Sequence, residues 1–116
     1  QTIALYGELG AGKTTFIQGL ALGLGIKQPI TSPSFVIMNQ YDIPKEKFKL
    51  CHFDFYRYKE NSEQSPADIL DYLNNQGYLC LIEWADRVQK LVPKNAIKIH
   101  IKYLDENKRS TFYPGN

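Results

Sequence analysis

The eight residues Gly7–Thr14, GELGAGKT, decide how the rest of the sequence is interpreted. They match the Gly-x-x-x-x-Gly-Lys-Ser/Thr pattern of a phosphate-binding loop, in which small residues let the backbone wrap closely around phosphate oxygens. In such a loop Lys13 reaches the β- and γ-phosphates, and the Thr14 hydroxyl holds a magnesium ion. The positive end of the following helix faces the same anions. The pattern therefore predicts a site for ATP and Mg²⁺.

The segments on both sides of this loop have the patterns that a phosphate site requires. Ile3–Tyr6 is an apolar run that Gly7 ends, which is typical of a buried strand leading into a glycine loop. After the loop, apolar residues recur at helical spacing over Lys13–Leu24, and Gly25 suits the helix C-terminal cap. The predicted order is strand, loop, helix.

The remaining segments predict an α/β domain. A turn is predicted at Asp42–Lys47, and a helix from Pro66 to Gly77 has an apolar face formed by Ile69, Leu70 and Leu73. Strand patterns occur at Phe35–Tyr41, Phe48–Tyr56, Tyr78–Ile82, Ala96–Leu104 and, briefly, near Thr111–Phe112. We therefore expect residues 1–116 to form a single P-loop NTPase-like domain with a mixed, mostly parallel sheet flanked by helices.

Two acidic residues near predicted strand ends are candidates for the chemistry. Glu83 follows the buried run Tyr78–Ile82 and could complete the metal shell through water; the alternative is a surface glutamate at a strand end. Asp54 could position the attacking water, act as a base or add to the metal shell, and the alternative is a capping aspartate.

The strand Phe48–Tyr56 predicts one polar and aromatic face and one core face. The two-residue period puts His52 and Tyr56 beside Asp54, opposite Cys51, Phe53 and Phe55. A hydrogen-bonded structural role is favoured for His52 over metal ligation. His100 is expected to face solvent and receives no role.

Three other side chains are left with two interpretations each. Arg57 and Arg87 could each contact a phosphate or pair with a nearby carboxylate. Trp84 could belong to the core or face a partner.

Composition limits the function further. The chain has 43% hydrophobic and 22% charged residues, as in ordinary globular proteins, and a net charge of +2 is too weak to indicate a nucleic-acid surface. The uncharged stretch Thr14–Ile26 is too short and too rich in glycine to cross a bilayer, so no membrane association is expected. Cys51 and Cys80 form no metal-ligand spacing and are expected to be buried, reduced thiols, which suits the cytoplasm.

Four motifs in sequence order resemble those of one family. They are GELGAGKTT at Gly7–Thr15, TSPSF at Thr31–Phe35, HFDFYR at His52–Arg57 and IEW at Ile82–Trp84. The first motif is shared by a vast range of NTPases, whereas the last three together are specific to the TsaE family of small ATPases, the tRNA threonylcarbamoyladenosine biosynthesis proteins. The chain resembles that family in the order and spacing of its motifs over nearly its whole length.

The resemblance implies a role for each matching position. Lys13 and Asp54 would be catalytic, and Thr14 and Glu83 would serve the metal. The nucleotide would be bound by Glu8, Gly10, Ala11, Gly12, Lys13, Thr14 and Thr15. Switch or partner contacts would come from Thr31, Ser32, Ser34, Tyr56, Arg57 and Trp84. Ser34 stands where the family usually has threonine, which retains the hydroxyl.

The resemblance also implies a function. Family members are bacterial cytoplasmic ATPases that work with TsaD and TsaB, which transfer threonylcarbamoyl to adenosine 37 of tRNA. ATP binding and hydrolysis would reset or assemble that complex, with weak turnover alone and contact with tRNA only through the complex. Because the chain starts at Gln1 and members usually carry a further helix and strand that help form the base pocket, an N-terminally trimmed protein is expected.

The motifs bear on three other classes of function. A GTPase is excluded because no Asn-Lys-x-Asp string occurs. A small-molecule P-loop kinase remains the enzyme alternative, although its arginine-rich lid is not evident. An ATP-sensing assembly factor, in which hydrolysis is incidental, remains the alternative among binding modules.

Overall fold

The fold is taken from a computed structural model, which describes residues 1–7, 13–31, 38–56, 66–103 and 110–114, with the backbone only for 13, 14, 102, 103 and 110–114. Its regular elements are β1 (Thr2–Gly7), α1 (Lys13–Leu24), β2 (Met38–Asp42), β3 (Lys49–Asp54), α2 (Pro66–Leu73), β4 (Tyr78–Glu83), a 3₁₀ helix (Ala85–Leu91), β5 (Ile97–Tyr103) and β6 (Ser110–Pro114).

The strands of the described residues form one six-stranded sheet in the order β2-β3-β4-β1-β5-β6. The three central pairs, β3 with β4, β4 with β1, and β1 with β5, are parallel, and each outer strand pairs antiparallel with its neighbour. The predicted mixed, mostly parallel sheet is confirmed. Because parallel strands end on the same side, β1, β3, β4 and β5 all end at one edge of the sheet, which we call the carboxyl edge.

Both faces of the sheet are covered, which explains the nearly continuous apolar sequence of its central strands. On the α1 face, Ile17 and Ala21 pack with Ile3, Leu5 and other buried residues. On the opposite face, side chains from α2 and from the 3₁₀ helix pack against the sheet, among them Ile69, Leu73, Ala85, Val88, Phe53 and Cys80. The start of α1 therefore lies above the sheet on one defined face.

Helix α1 ends where the sequence predicts. Gly25 has a φ of 81°, and its N–H donates to the Leu22 carbonyl over 3.1 Å. The Ile26 N–H donates to the Ala21 carbonyl over 2.9 Å, which completes a Schellman motif. Ile26 is buried in the same cluster as Ala21, so the cap also fixes the direction in which the chain leaves the helix.

Three predicted element ends were wrong. Strand β3 ends at Asp54 instead of Tyr56, because the Tyr56 N–H donates to the Asp54 side chain in a turn. Asp42 is the last residue of β2 rather than the start of the turn, because it continues the antiparallel ladder with Lys49. Helix α2 ends at Leu73 instead of near Gly77. The Asn75 side-chain oxygen accepts a bond from the Gly77 N–H over 2.7 Å, which makes a turn that competes with further helix.

The predicted faces were also partly wrong. Leu70 was expected on the apolar face of α2 but is 36% exposed, and Ile97 is 48% exposed although Ile101 of the same strand is buried. On the side of β5 that faces α1, the side chains are thus buried only near the carboxyl edge. His100 is half-buried instead of facing solvent, because its ring stacks on Tyr6 at a centroid distance of 4.9 Å.

The two cysteines confirm the prediction of buried, reduced thiols. Cys51 and Cys80 lie directly opposite each other in the β3 and β4 ladder, and both are free and buried. Their mutual hydrogen bond, together with burial, raises the pKa of the Cys51 thiol far above its usual range. The same bond lowers the pKa of Cys80, while burial opposes this shift. Cys51 therefore stays protonated and inert at neutral pH.

Candidate functional site at the carboxyl edge

Two carboxylates lie at the carboxyl edge where β3 and β4 end. Asp54 and Glu83 are the last residues of these strands and stand opposite each other in the parallel register. The Phe55 N–H donates to the Glu83 carbonyl over 3.2 Å, so the two segments stay hydrogen-bonded at the ends of β3 and β4. Glu83 is only 8% exposed, so the surface glutamate that the sequence left open as an alternative is ruled out.

Glu83 is bonded to a histidine behind it. The His52 Nε2 atom lies 2.7 Å from Glu83 Oε2, and His52 is 1% exposed. The predicted hydrogen-bonded role of His52 is confirmed, but the face of β3 that was predicted to be polar, in contrast to a core face, is itself buried at His52. Burial is tolerated because the carboxylate partners one ring nitrogen, which offsets much of the cost of removing both groups from water.

Asp54 makes the contact of a capping residue. Its Oδ1 atom accepts a bond from the Tyr56 N–H over 3.0 Å, which closes a turn directly after β3. A carboxylate has lone pairs on both oxygens, so this bond leaves Asp54 able to accept a further donor. The side chain is partly exposed at the carboxyl edge, and the capping and chemical interpretations are compatible.

The donors at this edge fit a magnesium ion bound together with phosphates. Carboxylate oxygens are hard ligands that Mg²⁺ prefers, and nucleotide sites usually supply only one or two of them. Across the described ranges no group of three or more His, Cys, Asp and Glu side chains forms a metal cage. Any metal here would therefore need phosphate oxygens and waters as well as Glu83 and Asp54.

The start of α1 lies on the same face and at the same edge as Glu83. The two-residue period puts Glu83 on the face of Leu81, which packs in one cluster with Ile17 of α1. Because α1 follows β1 through the glycine segment, its first residues, Lys13 and Thr14, also lie at the carboxyl edge. The fold thus places the helix N-terminus and the buried carboxylate on one side of the sheet.

A cluster of two rings and a cation lies beside the carboxylates. Tyr56 and Trp84 contact each other at a centroid distance of 4.9 Å, and the Arg87 guanidinium lies 5.3 and 5.4 Å from the two ring centroids. Both sequence interpretations of Arg87 missed this cation–π contact. Trp84 is half-buried in left-handed backbone conformation, with a φ of 59°, so it is both part of the packing and open to a partner.

The beginning of the TSPSF segment is held by β2. The Thr31 N–H donates to Tyr41 Oη over 3.2 Å, and the Thr31 carbonyl accepts bonds from Tyr41 Oη over 3.4 Å and from Asn39 Nδ2 over 3.3 Å. Tyr41 is itself buried. Sequence reasoning missed this anchor, because an isolated tyrosine in a strand pattern gives no sign of a partner ten residues earlier.

Comparison with known proteins shows the family. The family model described as "Threonylcarbamoyl adenosine biosynthesis protein TsaE" matches residues 1–111. The chain belongs to the TsaE family. The match to TsaE covers nearly the whole sequence, and it confirms the resemblance seen in the four motifs.

Individual relatives agree with this TsaE assignment. A Bacillus subtilis (strain 168) protein named tRNA threonylcarbamoyladenosine biosynthesis protein TsaE is 39% identical over 107 residues, which cover 92% of this chain and 65% of that protein. A Haemophilus influenzae protein of the same name is 36% identical over 104 residues, 90% of this chain and 64% of its own length. The chain thus spans slightly less than two thirds of these two relatives.

A solved TsaE-like structure has the same fold. The structure titled "Crystal structure of Bacillus subtilus YdiB" superposes with a TM-score of 0.71 at 33% sequence identity, covering 99% of this chain and 68% of that one. The P-loop NTPase-like α/β fold predicted from the sequence is therefore confirmed.

Several TsaE motif positions lie outside the described residues. Those with a predicted role are Glu8, Gly10, Ala11, Gly12, Ser32, Ser34 and Arg57. Lys13 and Thr14 are the first two residues of α1, with only their backbone described, and Thr15 follows them on an exposed position of the helix. The structure brings together Asp54, Glu83, Tyr56 and Trp84, and it places Thr31 on the β2 side of the sheet.

We expect Tyr41→Phe to loosen the start of the TSPSF segment. The change keeps the buried ring but removes the hydroxyl that bonds both backbone groups of Thr31. The free energy of unfolding should fall by about 1 kcal/mol, and hydrogen exchange at the Thr31 amide should become faster. Urea unfolding and amide exchange measure the two effects.

The matched control for Tyr41→Phe is Tyr6→Phe. Its hydroxyl donates to Gln89 Oε1 over 3.2 Å, away from Thr31. This variant should lose similar stability without changing exchange at Thr31. Unaltered Thr31 exchange in Tyr41→Phe would show that the segment is held by other contacts.

Proposed function

We propose that this TsaE-family chain binds ATP with Mg²⁺ and hydrolyses it, as the ATPase subunit that supports TsaD and TsaB in threonylcarbamoylation of adenosine 37 of tRNA. One observation carries the proposal: the buried Glu83 carboxylate stands at the same edge and face of the sheet as the start of the helix that follows GELGAG. Ligands of open α/β sheets bind at this edge.

Each residue then has a defined task. Lys13 contacts the β- and γ-phosphates, and the backbone N–H groups of the glycine loop and of the α1 N-terminus contact the phosphate oxygens. Thr14 and Glu83 hold Mg²⁺, which when bound neutralises charge on the phosphates. Asp54 orients the attacking water with the oxygen that does not cap the turn, so that attack on the γ-phosphate is in line.

The relatives' name supports the pathway that we assign. Proteins called tRNA threonylcarbamoyladenosine biosynthesis protein TsaE match along 92% of the chain, and we assign the same pathway to this one. Contact with tRNA would be indirect, through TsaD and TsaB in the cytoplasm. No helix in the described part of the chain is long and apolar enough to span a membrane.

ATP hydrolysis by the full-length protein tests the proposal. Turnover is measured alone and with TsaD, TsaB and substrate tRNA, with Lys13→Ala as the blank. We expect slow turnover alone and faster turnover with partners, because the Tyr56, Trp84 and Arg87 cluster beside the carboxylates is partly exposed and can receive a partner. Turnover that partners leave unchanged, with no effect on tRNA modification, would overturn the proposal and favour a small-molecule kinase.

A second candidate is an ATP-sensing assembly factor. The capping bond of Asp54 to the Tyr56 N–H favours it, because a residue with a structural task need not be catalytic. Asp54→Asn keeps the amide oxygen as a cap acceptor while removing the charge. If this variant binds ATP, loses hydrolysis and still supports tRNA modification, the chain is a sensor; if modification is lost with hydrolysis, it is an ATPase.

A further inference from the structure

We propose that His52 is a positioning residue: it holds the Glu83 carboxylate in the one orientation that serves Mg²⁺, without touching the metal or the nucleotide itself. The inference rests on the proposed function, because it requires Mg²⁺ at Glu83. It gives a task to a buried polar residue that phosphate binding alone does not use.

The strand register brings the two side chains together. His52 stands opposite Leu81 in the parallel ladder of β3 and β4, and Glu83 comes two residues later on the same face. The imidazole and the carboxylate are therefore diagonal neighbours, and their bond of 2.7 Å spans that diagonal. Glu83 is at the same time tied through its carbonyl to the Phe55 N–H. The side chain of Glu83 is thus fixed from β3, and its backbone from the residue that follows β3.

Accessibility separates the tasks of the two residues. The His52 side chain is 1% exposed, whereas 11% of the Glu83 side chain remains accessible. A ligand at the carboxyl edge can therefore contact the Glu83 side chain, whereas the His52 ring behind it is closed off. His52 can therefore act on a bound metal only through Glu83, which makes it a positioning residue and not a catalytic one.

The direction of the hydrogen bond explains what is fixed. A carboxylate only accepts, so the Nε2–H of His52 donates to Oε2 of Glu83. This occupies one oxygen and leaves Oε1 for the metal or its bound waters. The other ring nitrogen, Nδ1, is buried and has no hydrogen-bond partner among the described residues. Among the described residues, the hydrogen bond to Glu83 is thus the polar contact of the His52 ring.

Three variants of His52 separate orientation from mere packing. H52Q keeps an N–H donor at nearly the same reach, H52N has the same carboxamide group on a shorter side chain, and H52L has no donor. Removal of a residue that orients a metal ligand typically lowers the metal affinity about 10- to 100-fold. We expect H52N and H52L to weaken Mg²⁺ binding by about tenfold and H52Q to remain close to wild type.

The measurement uses the full-length protein saturated with a non-hydrolysable ATP analogue. Mg²⁺ is titrated by calorimetry, and the affinity for the analogue is also measured in EDTA, where Glu83 has no metal to hold. A positioning role changes the Mg²⁺ affinity and leaves the EDTA value within twofold of wild type, whereas general disruption of the site changes both. In the Glu83→Gln background, H52N should have no further effect on Mg²⁺ affinity.

The outcomes distinguish this inference from the proposed function. Equal Mg²⁺ affinities in wild type, H52N and H52L overturn the inference and leave the ATPase proposal standing. Unfolding of both H52N and H52L, read by circular dichroism, also overturns it, because the pair would then serve the fold. If Mg²⁺ does not raise the affinity of the wild-type protein for the ATP analogue, both the proposed function and the inference are overturned.

Discussion

Glu83→Ala should lower the free energy of unfolding by about 3 kcal/mol and also remove Mg²⁺-dependent ATP hydrolysis. The large cost in stability is expected because His52 stays buried at 1% exposure while losing the acceptor at 2.7 Å. Neither ring nitrogen would then have a partner among the described residues. Urea unfolding gives the stability, and phosphate release with and without Mg²⁺ gives the turnover.

Glu83→Gln is the matched control that separates these two losses. The amide oxygen can still accept the bond from His52 Nε2–H, so the unfolding free energy should change by only about 1 kcal/mol. The negative charge is lost, however, so Mg²⁺ affinity should still fall by at least about tenfold. The alanine variant is therefore unstable and inactive, whereas the glutamine variant is stable and impaired in metal binding.

Two results would contradict this account of Glu83. Full Mg²⁺-dependent turnover in Glu83→Gln would mean that the carboxylate charge does not serve the metal. Unchanged stability in Glu83→Ala would mean that His52 finds water or another partner when its acceptor is removed.

The sequence predictions for the site depend on local patterns. The loop Gly7–Thr14 is a contiguous motif, and Glu83 ends the strand that the apolar run Tyr78–Ile82 predicts. The end of α1 was predicted because Gly25 stands one residue past the last apolar position. Local signals of this kind depend on spacing along the chain and not on tertiary contacts.

The parts that the sequence could not give depend on register and packing. His52 and Glu83 are 31 residues apart, and they meet only because β3 pairs with β4 in one particular register. A histidine at position 52 would face water if β3 were an edge strand. The sequence alone therefore could not show that this face of β3 is buried at His52. Arg87 likewise meets Trp84 only through the left-handed turn after β4.

Gly7→Ala should destabilise the fold by about 3 kcal/mol or more, because this glycine satisfies two separate constraints. Its φ of 141° is a conformation that residues with a side chain rarely adopt. A Cβ atom there would lie 2.3 Å from the backbone carbonyl oxygen of Ile101, which is paired with Gly7 in the β1 and β5 ladder and cannot move aside cheaply. Relief of the clash requires a shift of β1 or β5.

The effect on function should follow from the same shift, since Gly7 joins β1 to the loop GELGAGKT. Nucleotide affinity is expected to fall along with thermal stability, measured by calorimetric titration of ATP and by thermal unfolding.

Gly19→Ala is the control of opposite sign. Gly19 lies inside α1, and a Cβ there meets nothing within 4 Å. Alanine should therefore stabilise the helix by about 0.5–1 kcal/mol through its better helix propensity. A Gly7→Ala protein as stable as wild type would mean that β1 and β5 can separate at the carboxyl edge without cost. The position of Glu83 at the carboxyl edge would then depend on the pairing of β3 with β4 alone.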